Sequence, residues 1–161
     1  GKPFYLDENC RNTRCIHRVL ESYMVTADEI ICNGPEGRQI EEISLSRPSD
    51  AATQLSRTLH NLTMGGVDVS EIIMLTPASE KRSLWKSGAT VGAFTLSWDL
   101  ETTAKNQLRI CSIYAFKGLE SAVVILSELD KLPNDERRNP LLYVAISRAR
   151  NHVIVLGDLP R

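Results

Sequence analysis

The chain has 161 residues and a formal net charge of −1, with 19 Lys and Arg against 20 Asp and Glu. This length suits one compact domain that can bury a core without staples. The balance excludes a nucleic-acid binder that works by bulk positive charge and leaves only a local basic face. No apolar run is long enough to span a membrane, and GKPFYLDENC lacks a secretory signal pattern.

Residues 4–7 (FYLD) read as a short strand entering a polar loop, ENCRNT. From Thr13, a candidate N-cap, Ile16, Val19, Leu20 and Tyr23 share one helical face. EIIC (29–32) and QIEEISLS (39–46) are strand-like, and the intervening NGPEG has turn chemistry suited to a hairpin. Ser49 or Asp50 opens a helix through Ala52, Leu55, Leu59 and Leu62, which Gly65-Gly66 stops. EIIML (71–75) is a buried strand ended by Thr76-Pro77. A short helix (SEKRSLW) and a strand (TVGAFTLSW) are the expectation between Ala78 and Asn106. RICSIY and AVVILSEL are strands separated by FKGLE. PLLYVAISRAR is a helix with Pro140 in its first turn, and HVIVLGD closes the chain as a strand. Strands alternating with helical segments imply a mainly parallel sheet covered on both faces.

The four cysteines form no Cys-x-x-Cys pair. That disfavours a zinc site or a disulfide scaffold and suggests a reducing, cytoplasmic setting. Beginning at Gly1, the sequence reads as a single domain over 1–161 belonging to a longer protein. Three polar interruptions stand out: Asn9 to Thr13, Phe116 to Glu120, and Ser147 to Arg150. The first two follow strands, which predicts a place on the carboxyl rim of the sheet, where open parallel sheets bind ligands. Trp85 and Trp98 could stack on bases, but packing in the core is the stronger reading for both. Ser147 reads as a helix-end hydrogen bonder, and Arg150 as a surface or nucleic-acid-facing charge.

LDENCRNT, IYAFKGLESAVVIL and LLYVAISRAR resemble, in order and in rough spacing, motifs IV, V and VI of superfamily 1 helicases. The chain looks like the second RecA-like lobe of the UvrD/Rep group, and EIIMLTP is similar to the strand that group carries between motifs IV and V. The resemblance implies an α/β fold, a RecA-like three-layer αβα sandwich. It further implies that ATP with Mg sits between this lobe and an N-terminal RecA-like lobe, which supplies the phosphate loop and the magnesium carboxylates. Arg11 matches the motif IV arginine and Arg148 the motif VI arginine, both directed at the γ-phosphate, where a planar permanent cation suits spread charge. Glu120 matches the motif V glutamate that holds a ribose hydroxyl. Gly118 lets the backbone approach the nucleotide, and Lys117 stands beside it. Ser112, Tyr114 and the Thr76-Pro77 loop are implied to face single-stranded DNA.

Two departures from that pattern are visible. Ser112-Ile113-Tyr114 stands where the family often has Thr, an apolar residue and His. Only about thirty residues lie where the family commonly inserts a large subdomain. No G-x-x-x-x-G-K-[ST] motif occurs, so the chain alone is expected not to hydrolyse ATP. Two other readings stay open here: a non-catalytic nucleic-acid-binding or protein-docking module, and the lobe of an RNA helicase.

Overall fold

The computed structural model describes residues 8–9, 12–24, 31–116 and 118–161. The 4–7 strand and the first half of EIIC lie outside them. So do Arg11 and Lys117, so the expectations for these two side chains stay with the sequence.

Among the described residues, nine strands and three α-helices follow in the order β1 (Glu8–Asn9), α1 (Arg14–Glu21), β2 (Ile31–Cys32), β3 (Glu41–Ile43), α2 (Ala51–Met64), β4 (Ile72–Thr76), β5 (Thr90–Val91), β6 (Phe94–Ser97), β7 (Gln107–Ser112), β8 (Ser121–Ser127), α3 (Arg138–Ser147) and β9 (Ala149–Leu156). β1 and β2 form a small parallel pair. The other seven strands make one sheet in the order β3-β9-β8-β4-β7-β6-β5, parallel except for the β5–β6 hairpin.

β4 and β8 are buried along their whole length, as central strands with helices on both faces must be. Alternate residues face opposite layers. Ile73, Leu75, Val124, Leu126, Val153 and Val155 pack with Ile16 and Leu20 of α1 and Leu142 and Ile146 of α3. Ile72, Met74, Leu108, Ile110, Val123 and Ile125 pack with Leu55, Leu59 and Leu62 of α2. The result is the three-layer αβα arrangement of a RecA-like lobe.

Three local expectations are corrected. NGPEG does not close a hairpin, because β2 pairs with β1 while β3 joins the sheet edge in parallel with β9. The segment wraps the start of α1 instead. Pro35 and Glu36 carbonyls accept the N–H groups of Arg14 and Cys15 at 2.8 and 3.0 Å, donors that a helix start leaves without partners. Thr13 is the N-cap, its hydroxyl accepting from Ile16 N–H at 3.4 Å. Gly37, at φ +75, passes so close to Thr13 that a Cβ would collide with it.

SEKRSLW forms turns rather than a helix. One turn closes as Ser83 N–H reaches Ser79 O at 2.9 Å. Burial then alternates as in an extended strap, with Ser83 and Trp85 inside and Leu84 and Lys86 outside. TVGAFTLSW splits into β5 and β6 because Gly92, at φ +60, turns the chain back.

Both tryptophans pack. Trp85 is buried and donates its indole N–H to Ser127 Oγ at 2.9 Å, and Trp98 donates to the Trp85 carbonyl at 2.9 Å. No helix among the described residues is long and apolar enough to cross a membrane.

Candidate functional site

The connection from β7 to β8 decides where the polar residues go. β7 ends at Ser112, level with Thr76 at the end of β4, whereas β8 starts at Ser121 beside Ala149, the start of β9. The intervening segment therefore runs the full length of the sheet, covering it with Ile113 and Phe116, both buried. This corrects the expected rim. Ser112 and Tyr114 lie at the carboxyl rim, but Glu120 lies at the amino rim, next to the α3–β9 junction, with Gly118 on the way down to it.

Four elements meet at that amino rim. Arg148 is the single residue between α3 and β9, and its carbonyl accepts the Ser121 N–H at 2.9 Å. Its half-buried guanidinium donates from Nε to Val144 O at 3.2 Å and from Nη1 to Leu119 O at 3.4 Å. The group is thus oriented both by its own helix end, where a cation suits the dipole, and by the segment that carries Glu120. Arg150 Nη1 lies 3.6 Å from Glu120 Oε1, and both side chains are about half exposed. Ser147 closes the helix by donating to Val144 O at 2.8 Å.

The fourth element is the loop before α1. Asn12, buried at 4% exposure, donates from Nδ2 to Ser147 O at 3.1 Å and to Ala149 O at 2.6 Å. One side-chain amide therefore fastens the start of α1 to both sides of Arg148. Gly118 sits at φ +83, a left-handed conformation that favours glycine. A Cβ placed there would meet nothing within 4 Å, so the backbone at this point is open on that side.

At the carboxyl rim, Ser112 Oγ accepts from Ala115 N–H at 3.2 Å, and Tyr114 is 58% exposed. Thr76 differs from its expected place. It is fully buried, and its hydroxyl donates to Glu128 Oε2 at 2.6 Å, turning inward from the face where nucleic acid was expected. Glu128 also accepts from Ser83 Oγ at 2.7 Å, Leu84 N–H at 2.9 Å and Lys131 Nζ at 2.8 Å. Burial raises the pKa of this carboxyl, but the bonds from Lys131, Thr76, Leu84 and Ser83 outweigh burial and hold it below the usual range.

The sequence thus led to Arg148 and Glu120, which the fold brings to one rim, and to Gly118 in the segment that leads there, and missed Asn12, the Arg150–Glu120 pair and Glu128. Asn12 had a signal, a short amide in the loop just before a helix cap. Glu128 had none, because three of its four donors, from Thr76, Ser83 and Leu84, come from segments more than forty residues away.

Residues 107–156, spanning β7 to β9, match the family profile described as the UvrD-like helicase C-terminal domain. No curated protein is a match. Among solved structures, the chain is similar to the C-terminal domain of a possible DNA helicase from Lactobacillus plantarum WCFS1. The identity is 17% and the TM-score 0.69, over 92% of this chain and 87% of that one. The PRRSV helicase aligns at 16% identity and a TM-score of 0.46, over 95% of this chain and 25% of that one.

Two outcomes are expected. Asn12→Ala leaves the Ser147 and Ala149 carbonyls without their donor, a loss of about 1–3 kcal/mol. Urea unfolding should register it, and amide exchange should rise at Arg148 and Arg150 rather than in β4. Because Glu128 titrates low in the fold, its stabilisation is full at neutral pH and is lost as pH falls through that lowered value. Thermal unfolding followed from neutral to acid pH should show this loss, and Glu128→Gln should flatten that part of the profile.

Proposed function

We propose that this chain, a UvrD-like helicase C-terminal lobe by its matched stretch and its fold, is the second motor lobe of an ATP-dependent DNA helicase or translocase. The observation that carries this reading is the meeting of Arg148 and Glu120 at the amino rim, with Asn12 fixing the junction between α3 and β9. The donor set fits a nucleotide clamped against another lobe. An oriented guanidinium suits phosphate oxygens, and an exposed carboxylate suits ribose hydroxyls.

In this reading ATP with Mg supplies the reactive phosphoryl group. Arg148, joined by Arg11, stabilises charge on it; Glu120 orients the ribose; and Gly118 and Lys117 line the approach. The phosphate loop and the magnesium ligands come from an N-terminal RecA-like lobe, since no G-x-x-x-x-G-K-[ST] motif is present in this sequence. Single-stranded DNA runs over the opposite rim past Ser112 and Tyr114, near the end of β4, whose buried Thr76 stays out of the contact. The segment from Ile113 to Glu120 links the two rims, so closure on nucleotide at one end can be felt by the strand at the other. A non-catalytic docking module would need neither the held arginine nor the exposed carboxylate at the same rim.

The test uses the chain alone and joined to its N-terminal lobe. Alone, it should show no ATPase above background. In the two-lobe protein, Arg148→Ala should lower DNA-stimulated ATPase by about 10³-fold or more while leaving the fold intact by circular dichroism. Intact turnover in that variant would overturn the reading.

A further inference from the structure

Glu128 is one of two non-glycine residues at positive φ among the described residues, at φ +59. Such a conformation costs of order 1–3 kcal/mol and persists only where the surroundings impose it. Here a buried carboxylate at the end of β8 gathers donors from the end of β4, from Ser83 and Leu84, and from Lys131. What it holds in place is the strap of residues 79–87, lying over the carboxyl rim.

The outward side of that strap is basic. Lys81, Arg82 and Lys86 are exposed and oppose only Glu80 within the segment, and Leu84 stands out at 63% exposure. Lys86 Nζ is pinned to the Glu80 and Lys81 carbonyls at 2.7 and 3.1 Å, and Lys131 Nζ to the Arg82 carbonyl at 2.8 Å. Lys81 and Arg82 make no ion pair among the described residues. In a chain of net charge −1, this is a local concentration of cations, and it continues the rim that bears Ser112 and the exposed Tyr114.

We infer that the 79–87 strap is a track for the backbone of single-stranded nucleic acid, with Glu128 as the positioning residue that fixes its shape. The inference rests on the nucleic-acid-binding part of the function proposed above and extends it to a segment outside motifs IV to VI. Backbone charge drives the contact, so it is insensitive to base sequence.

The test is anisotropy of a fluorescent oligo-dT with the purified chain, as a function of salt. Each phosphate contact on a single strand contributes about 0.7 to the slope of log affinity against log salt. Lys81→Ala with Arg82→Ala, which spares the pinned Lys86 and Lys131, should make that slope shallower by about 1.4. Bound oligo-dT should also slow tryptic cleavage after Lys81 and Arg82. Glu128→Gln, verified as folded, should speed that cleavage and weaken binding. An unchanged slope and unprotected strap, with binding still lost in Ser112→Ala/Tyr114→Ala, would overturn the strap and leave the helicase-lobe reading standing. No binding of oligo-dT by the unaltered chain would overturn both.

Discussion

A parallel sheet obliges every connection to travel back along a strand before the chain can pair again. That constraint governs this molecule. β7 and β8 run in the same direction on either side of β4, so the chain between them has to cross from one rim to the other. Its apolar residues, Ile113 and Phe116, cover the sheet on the way. Its polar residues are left at the two ends: a serine and a tyrosine beside one rim, a glutamate beside the other. The separation of the end proposed for nucleic acid from the end proposed for nucleotide is thus a product of topology, and no long-range signal in the side chains is needed to set it up.

The amino rim then depends on close anchoring. α3 passes into β9 through one residue, Arg148, which leaves that residue little choice of direction. Asn12 secures the residues on either side of it, and the wrapped segment around Pro35 and Glu36 secures the helix start that follows Asn12. Arg148 is held from two sides, by the main-chain carbonyls of Val144 in its own helix and of Leu119 in the segment before β8. Glu120, by contrast, has Arg150 nearby at a loose 3.6 Å in a half-exposed setting, where an ion pair contributes little and exchanges readily.

How far the sequence revealed this varied by element, for physical reasons. α1, α2 and α3 announced themselves by periodicity and end signals: the Thr13 cap, the Gly65-Gly66 stop and the early Pro140. β4 and β8 did so by unbroken apolar runs. The failures were all matters of what a segment packs against. NGPEG has the composition of a hairpin turn, yet its carbonyls serve a neighbouring helix. SEKRSLW has the composition of a helix, yet Glu128, more than forty residues on, draws Ser83 and Leu84 into an extended course. The rim of Glu120 was misjudged because a motif following a strand was assumed to stay at that strand's end. Arg148 and Glu120 were legible as residues, and the company they keep came only with the fold.

The segment between β7 and β8 also has a definite reach. From Ser112 to Ser121 the chain descends six residue levels of the sheet, about 20 Å at 3.3 Å per level, and steps sideways by two strand spacings, about 10 Å. Fully extended, the nine peptide units available span about 30 Å, and part of that is taken up by the turn in which Ala115 and Phe116 fold back onto the Ser112 carbonyl. Little slack remains. The segment acts as a taut tie-rod: its length is fixed by the sheet it crosses, so shortening it by even one residue would have to unwind the turn beneath Tyr114, and lengthening it would let its two ends drift independently.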